Sequence, residues 1–142
     1  MSRFDLRIVV VDDNRDAANT LAAVLGMLGH EVTVAADGQE ALALAARRSD
    51  WDAFILDIGM PDMTGHELAG RLRNLIGTRP AHFIAVTGYG QASDQAMSRD
   101  AGFDHHLVKP VDMAHIQALL EQPIGGQPQP LKVHYGSTNR PT

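Results

Sequence analysis

Five short apolar runs alternate with segments of helical periodicity along most of this chain. The runs cover residues 7–11, 31–35, 53–56, 82–86 and 105–108. Each is brief and rich in Val, Ile, Leu or Phe, which favours buried β-strands. Strands that alternate with helices pack as a parallel sheet covered by helices on both faces. The pattern therefore predicts an α/β fold.

The segments between and after these runs carry apolar residues at helical spacing. They lie within residues 17–28, 41–45, 68–76 and 113–120, and a weaker helix is predicted at 93–101. Helix start signals agree with these positions. Thr64 with Glu67 and Asp37 with Glu40 form capping pairs, and Asp112 can cap the last helix. Five helices are thus predicted.

Length and charge limit the function classes that fit this chain. A chain of 142 residues builds one core, and its net charge of -5 argues against a protein that binds nucleic acid by neutralising phosphates. The absence of cysteine excludes thiolate chemistry and thiolate zinc sites. The N-terminal residues contain neither a signal peptide nor an apolar span, so we expect a cytoplasmic protein without a membrane segment.

Polar residues follow the predicted strands abruptly. Asp12 and Asp13 follow the first strand, Asp57 the third, Thr87 the fourth and Lys109 the fifth. In an open parallel sheet, ligands bind beyond the carboxyl ends of the strands. A single Asp after a strand is often only a helix cap or turn residue. The coincidence at four strand ends favours a functional site.

These residue types suit phosphoryl transfer with a divalent cation. Carboxylates brought together repel one another unless a cation lies between them. An all-oxygen ligand set without His or Cys favours Mg²⁺ over zinc. A lysine binds phosphate as a point charge, and a threonine hydroxyl can donate to a phosphoryl oxygen. We therefore predict a magnesium-assisted phosphoryl-transfer site.

Four motifs then show a family resemblance. They are VVVDDN at 9–14, FILDIGMPDMTG at 54–65, FIAVTGYG at 83–90 and HLVKPVD at 106–112. In this order and spacing they resemble the receiver domains of two-component response regulators, over residues 7 to about 121. The resemblance implies a flavodoxin-like, doubly wound sheet of five parallel strands in the order 2-1-3-4-5 with five helices. Residues 1–121 are the expected receiver domain, and the Pro- and Gly-rich residues 122–142 a flexible tail or linker.

The resemblance also implies what the site does. Asp57 would accept a phosphoryl group from a phosphohistidine on a sensor histidine kinase or a histidine phosphotransfer protein. Mg²⁺ would be bound directly by Asp13, Asp57 and the backbone carbonyl of Gly59, while Asp12 would act mainly through a coordinated water.

Further residues would sense the phosphoryl group. Lys109 and Thr87 would contact it, and a downstream protein would read the change. Receiver domains usually carry Tyr or Phe three residues before the lysine, as a switch coupled to the threonine, but this chain has His106 there. His106 is either the switch or an ordinary strand residue. His66, His82 and His105 are expected at the surface.

Two other functions compete with this one. A magnesium-dependent phosphatase with a nucleophilic Asp needs a second acid two residues later, where this chain has Gly59. A receiver-like module that only binds partners normally lacks one of the site residues, all of which are present here. We therefore expect a signalling domain that catalyses only its own phosphorylation and dephosphorylation.

Overall fold

The structure is a computed structural model that describes residues 6–48, 50–60, 63–77, 80–87, 103–109 and 111–122, with the backbone of 132–135. The strands are β1 (Arg7–Val11), β2 (Glu31–Ala35), β3 (Ala53–Asp57), β4 (His82–Thr87), β5 (His105–Val108) and β6 (Lys132–Tyr135). The helices in this part of the chain are α1 (Arg15–Met27), α2 (Gly38–Arg47), α3 (Gly65–Ile76) and α4 (Met113–Leu120).

All six strands belong to one parallel sheet with the order β2-β1-β3-β4-β5-β6. The first five strands confirm the predicted flavodoxin-like order, in which the chain reverses its direction of winding after β2. Four of the five predicted helices are present. The weaker helix predicted at 93–101 lies outside the described residues.

The sixth strand is an addition to the predicted five-stranded sheet. Residues 132–135 pair with β5 along the outer edge of the sheet. Sequence pattern did not indicate this strand because its residues, KVHY, do not form an apolar run and follow a segment rich in Pro and Gly. The domain boundary near residue 121 and the flexibility of the rest of the tail stay predictions.

Apolar side chains cover both faces of the sheet. One face packs against α2 and α3, and its largest buried residues include Phe54, Leu56, Leu68, Leu72 and Phe83. The other face packs against α1 and α4, and includes Ile8, Leu25, Ile55, Ile84 and Ile116. Strands β1, β3 and β4 are buried on both faces, and each contains an unbroken run of four apolar residues. The polar residues Asp57 and Thr87 come directly after such runs, at the carboxyl ends of β3 and β4.

The helices begin where the capping signals predicted. Thr64 Oγ1 accepts a hydrogen bond from the Glu67 amide at 3.1 Å, and Asp37 Oδ1 accepts one from the Glu40 amide at 2.9 Å. Asp112 Oδ1 accepts from the Ala114 amide at 3.0 Å. Each side chain satisfies an amide that has no partner within its helix. No helix in the described part of the chain is long and apolar enough to cross a membrane.

Gly65 lets α3 approach the end of β3 closely. Its amide donates to Ile58 O at 3.1 Å, and a Cβ at this position would lie 2.8 Å from Ile58 Cα and 3.0 Å from Asp57 O. Both neighbours are backbone atoms, which cannot move aside without displacing the strand end. Gly65 is therefore required by the contact between α3 and the residues that carry Asp57.

Gly65→Ala is expected to lower the free energy of unfolding by about 2 kcal/mol, because the new methyl group overlaps backbone. Gly70→Ala is the matched control in the same helix, since nothing lies within 4 Å of a Cβ there. That control should stabilise the fold by about 0.5–1 kcal/mol through its better helix propensity. Urea denaturation of the two variants measures both effects. Equal stability of the two variants would contradict the close approach.

Two histidines expected at the surface are buried instead. His82, the first residue of β4, and His105, the first residue of β5, are about 5% exposed. His66 is half-buried, with its ring edge-on to Phe103 at 6.1 Å. Burial lowers the pKa of His82 below its ordinary value of 6.5, against the opposing influence of Asp104 and nearby backbone carbonyls. His82 is therefore held neutral in the folded protein.

Protonation of His82 is expected to oppose folding. Because its pKa is lower in the folded state, the unfolded chain binds this proton more readily, and stability falls as the pH drops through 6.5. Between pH 7.5 and 5.5 the loss from this group is at most about 1.4 kcal/mol. His82→Gln should remove that part of the slope of unfolding free energy against pH. His115→Gln, on α4, should keep it, and an unchanged slope in His82→Gln would refute the assignment.

Candidate functional site

Three aspartates meet at the carboxyl ends of β1 and β3. Val11, the last residue of β1, is in register with Leu56 of β3, so Asp12 and Asp13 emerge beside Asp57. One carboxylate oxygen from each of the three lies within 4.8 Å of the others. Asp12 is buried, Asp57 is half-buried and Asp13 is exposed. The fold thus assembles an acidic pocket that opens to solvent on the Asp13 side.

Lys109 supplies a positive charge to the acidic pocket. Its Nζ lies 3.6 Å from Asp12 Oδ2. The amide of Lys109 donates to Thr87 O at 2.8 Å, and this bond extends the pairing of β4 with β5 by one residue. The lysine is therefore positioned by the sheet itself, while its side chain keeps about 39% exposure.

The pKa of Asp57 is raised above its ordinary value. Burial is the largest cause, and the nearby Asp12 charge also raises it, whereas the Gly59 amide and Lys109 lower it. The charged form of Asp57 is therefore costly in the free protein. A bound cation would relieve this cost, because it favours the carboxylate form of every acid that it contacts.

Backbone hydrogen bonds hold Asp57 in place. The Gly59 amide donates to Asp57 Oδ1 at 3.1 Å, and the Ile58 amide donates to Val86 O at 3.0 Å. One carboxylate oxygen of Asp57 is thereby engaged in a turn. The side chain is oriented before any ligand binds.

Asn14 orients Asp12, a role that motif reading missed. The Asn14 amide donates to Asp12 Oδ1 at 2.9 Å, while Asn14 Oδ1 caps α1 by accepting from the Ala17 amide at 3.1 Å. The start of α1 is thus tied to the acidic pocket. An Asn directly before a helical pattern is a capping signal, and that signal could have identified it.

Thr87 and His106 form a buried pair next to the acidic pocket. Both residues are fully buried, and Thr87 Oγ1 lies 3.1 Å from His106 Nε2. The two residues are 19 positions apart in sequence and lie on the neighbouring strands β4 and β5. Thr87 is therefore engaged by His106 in this conformation.

A cleft of about 780 Å³ leads to the acidic pocket from the side of α1 and α4. Its walls are mainly apolar and include Leu21, Val24 and Met113, and its polar end contains Asp12, Asp57 and Lys109. Asp57 therefore lies at the polar end of a mainly apolar cleft.

The fold and this pocket define a flavodoxin-like α/β domain whose acidic site lies at the carboxyl ends of its parallel strands. The sequence profile of the response regulator receiver domain matches residues 8–121. The chain therefore belongs to the response regulator receiver domain family, the signalling domains of two-component systems, as the motifs predicted.

Two relatives show how this chain compares with curated proteins. A 14.6 kDa protein of Leptolyngbya boryana is 37% identical over 115 residues, which cover 81% of this chain and 87% of that protein. The response regulator MprA of Mycobacterium leprae is 36% identical over 121 residues, which cover 82% of this chain and 52% of MprA. The chain thus spans about half the length of MprA.

Two solved structures share the fold. A response regulator of Burkholderia pseudomallei, with a phosphorylated aspartic acid and a calcium ion, has a TM-score of 0.74 at 30% identity, covering 82% of this chain and 66% of that one. The receiver domain of the sensor histidine kinase PA1611 of Pseudomonas aeruginosa, with magnesium in its active site cleft, has a TM-score of 0.73 at 30% identity, covering 82% and 95%.

Proposed function

We propose that this chain is a magnesium-dependent phosphoacceptor that takes a phosphoryl group from a phosphohistidine onto Asp57. The observation that carries the proposal is the pocket itself: three carboxylates within 4.8 Å of one another and a lysine 3.6 Å from one of them. Such a cluster is poorly stable without a cation and well suited to bind one. The Burkholderia structure, with its phosphorylated aspartic acid, supports the assignment by similarity.

The acidic pocket fits a magnesium ion. All of its side-chain donors are carboxylate oxygens, which hard divalent cations prefer. Asp13 and Asp57 would bind the ion directly together with the Gly59 carbonyl, and Asp12 would act through a coordinated water. When bound, Mg²⁺ would neutralise charge on the phosphoryl oxygens. Magnesium in the cleft of the PA1611 receiver domain supports this choice of metal.

Asp57 would act as the nucleophile. A carboxylate oxygen of Asp57 bonds to phosphorus as the phosphorus–nitrogen bond of the donor breaks, and the electron pair of that bond leaves with the imidazole. The product is an acyl phosphate on Asp57. Lys109 lies near enough to the pocket to neutralise the incoming charge. The protein residues therefore supply orientation and positive charge, and the chain modifies only itself.

Thr87 and His106 would report the modification. In the free chain His106 holds the Thr87 hydroxyl. With His106 as the tautomer whose Nε2 accepts the hydroxyl proton, a phosphoryl oxygen on Asp57 would compete for that proton as an acceptor with stronger negative charge. We infer that Thr87 leaves His106 for the phosphoryl group, and that His106 thereby acts in place of the usual aromatic switch residue.

His106→Phe is expected to speed phosphorylation several-fold, because Thr87 then gives up no hydrogen bond, worth about 1 kcal/mol, to contact the phosphoryl group. The same substitution in a Thr87→Val background tests whether the effect depends on the Thr87 hydroxyl. In that background the phenylalanine substitution should change the rate little, since the hydroxyl is absent. Rates from intact mass spectrometry of the four proteins form a double-mutant cycle. Equal effects in both backgrounds would show that His106 is only structural.

The partners follow from this chemistry. The phosphoryl donor would be a sensor histidine kinase or a histidine phosphotransfer protein, whose side chains would enter by the cleft beside α1. A downstream protein would receive the signal. Direct nucleic-acid contact is not proposed for this acidic domain, and a cytoplasmic location stays a prediction.

Incubation with acetyl phosphate and Mg²⁺ tests the proposed function. Intact mass spectrometry is expected to show one added phosphoryl group, which hydroxylamine removes because it cleaves acyl phosphates. Chelation of the metal with EDTA should prevent the modification. An unchanged mass in the presence of Mg²⁺, or equal labelling with EDTA, would refute the proposal.

A further inference from the structure

The sixth strand occupies the edge of the sheet at β5. Residues 132–135 pair in parallel with residues 105–108, and His106 is in register with Val133. An edge strand presents unpaired backbone amides and carbonyls to any extended segment that approaches it. In this chain those groups of β5 are taken by a segment of the chain's own tail.

Helix α4 lies on the face of the sheet that gives the step from β5 to β6 the opposite hand from the steps that contain α1, α2 and α3. Helix α1 joins β1 to β2 across one face of the sheet, and α4, on the same face, lies between β5 and β6 in the chain. The step from β5 to β6 crosses the sheet in the direction opposite to the step from β1 to β2.

Helices α2 and α3 lie on the other face and join strands that advance toward β5. These two connections therefore share the hand of the α1 connection, and among the four connections whose helices lie in the described residues, the α4 connection alone differs. About 98% of such crossovers are right-handed, because strand twist favours that hand. The β5-α4-β6 connection is thus the disfavoured, left-handed one.

Local sequence adds to the weakness of this pairing. The strand has only four residues, and residues 123–131, which lead to it, contain three prolines and two glycines. Parallel pairing is slightly less stable per residue than antiparallel pairing, and a four-residue strand forms few hydrogen bonds. The strand is therefore held more weakly than the five strands of the receiver fold.

We propose that residues 132–135 form a detachable strand that covers the outer edge of β5 within the same chain. Attached, the strand closes the backbone groups of β5 to other extended segments. Detached, it leaves those groups open. Residues 132–135 of the tail thus protect the outer edge of β5.

The cover is connected to the phosphorylation site through β5. His106 is at once the side-chain partner of Thr87 and the residue in register with Val133. This further step rests on the proposed function: departure of Thr87 toward a phosphoryl group would remove a buried contact from β5 and loosen the attached strand. Phosphorylation would then uncover the edge.

Val133→Pro tests the cover, because proline removes a backbone amide from the middle of the strand. Ser137→Pro is the matched control, two residues beyond the strand in the same tail. Amide hydrogen exchange of residues 105–108 is the measurement. Without any phosphodonor, Val133→Pro should raise exchange there at least about tenfold, and Ser137→Pro should leave it unchanged. Equal exchange in Val133→Pro and the wild type would overturn the proposal.

Amide exchange of the wild-type protein tests whether the strand detaches and whether it comes from the same chain or from a second copy. The β5 amides that Val133→Pro exposes should already exchange faster than those of β4, and their exchange should be independent of protein concentration. Protection equal to that of β4 would refute detachment. Protection that rises with concentration, together with a dimer in light scattering, would show that the strand comes from a second copy and would overturn pairing within one chain.

Phosphorylation tests the connection separately. With acetyl phosphate and Mg²⁺, exchange at residues 105–108 should rise in the wild type and not in Asp57→Asn. If mass spectrometry shows a phosphoryl group on Asp57 and exchange does not change, the connection is wrong while the phosphoacceptor function stands. If no phosphoryl group is added, the proposed function fails, and the Val133→Pro result still decides whether the strand covers β5.

Discussion

Asp57→Asn is expected to abolish phosphorylation by acetyl phosphate. An amide oxygen lacks the negative charge of a carboxylate and cannot form a stable bond to phosphorus under these conditions. Asp57 is also the acid whose Oδ1 is oriented by the Gly59 amide at 3.1 Å, so a neighbouring acid does not replace its geometry. Intact mass spectrometry should detect no added phosphoryl group over a time that modifies the wild type completely.

Asp16→Asn is the matched control for this variant. Asp16 is exposed and lines the same cleft, and it is not one of the three clustered acids. It should be phosphorylated like the wild type. In the absence of metal, Asp57→Asn should also raise the free energy of unfolding by about 1 kcal/mol, because it removes a half-buried charge that lies close to Asp12. Full labelling of Asp57→Asn would reject Asp57 as the acceptor.

Lys109→Ala is expected to slow phosphorylation of Asp57 by about 100-fold or more. Loss of one preorganised charged donor at a site of charge development typically has an effect of this size. The Lys109 Nζ is 3.6 Å from Asp12 Oδ2, and the lysine also lowers the pKa of Asp57. Its removal takes away the positive charge that contacts Asp12. Initial rates at saturating Mg²⁺ measure the effect.

Arg15→Ala provides the control for Lys109→Ala. Arg15 is an exposed cation in the first turn of α1, so its loss changes the net charge by the same amount without removing the contact to Asp12. Its rate should stay within about threefold of the wild type, the size of a screened surface effect. A similar small change in Lys109→Ala would show that the lysine acts only through net charge.

The five strands and four described helices were predictable because their signals are local. Strands β1, β3 and β4 each contain an unbroken run of four apolar residues. Asp37, Thr64 and Asp112 start their helices by hydrogen bonds that span two or three residues. The sequence also predicted that three aspartates and a lysine lie together at the carboxyl ends of the strands, because parallel strands end on the same side of the sheet. Family motifs supplied the strand order.

Long-range contacts decided the rest. The burial of His82 and His105, the hydrogen bond between Thr87 and His106 and the pairing of residues 132–135 with β5 all join segments that are distant in sequence. The residues next to a histidine at the start of a strand are the same whether a helix end buries it or it is exposed to water, so the local sequence cannot predict its burial. The sequence by itself therefore determined the fold and the residues of the acidic pocket. Only the tertiary structure determined which neighbours hold those residues and what covers the edge of the sheet.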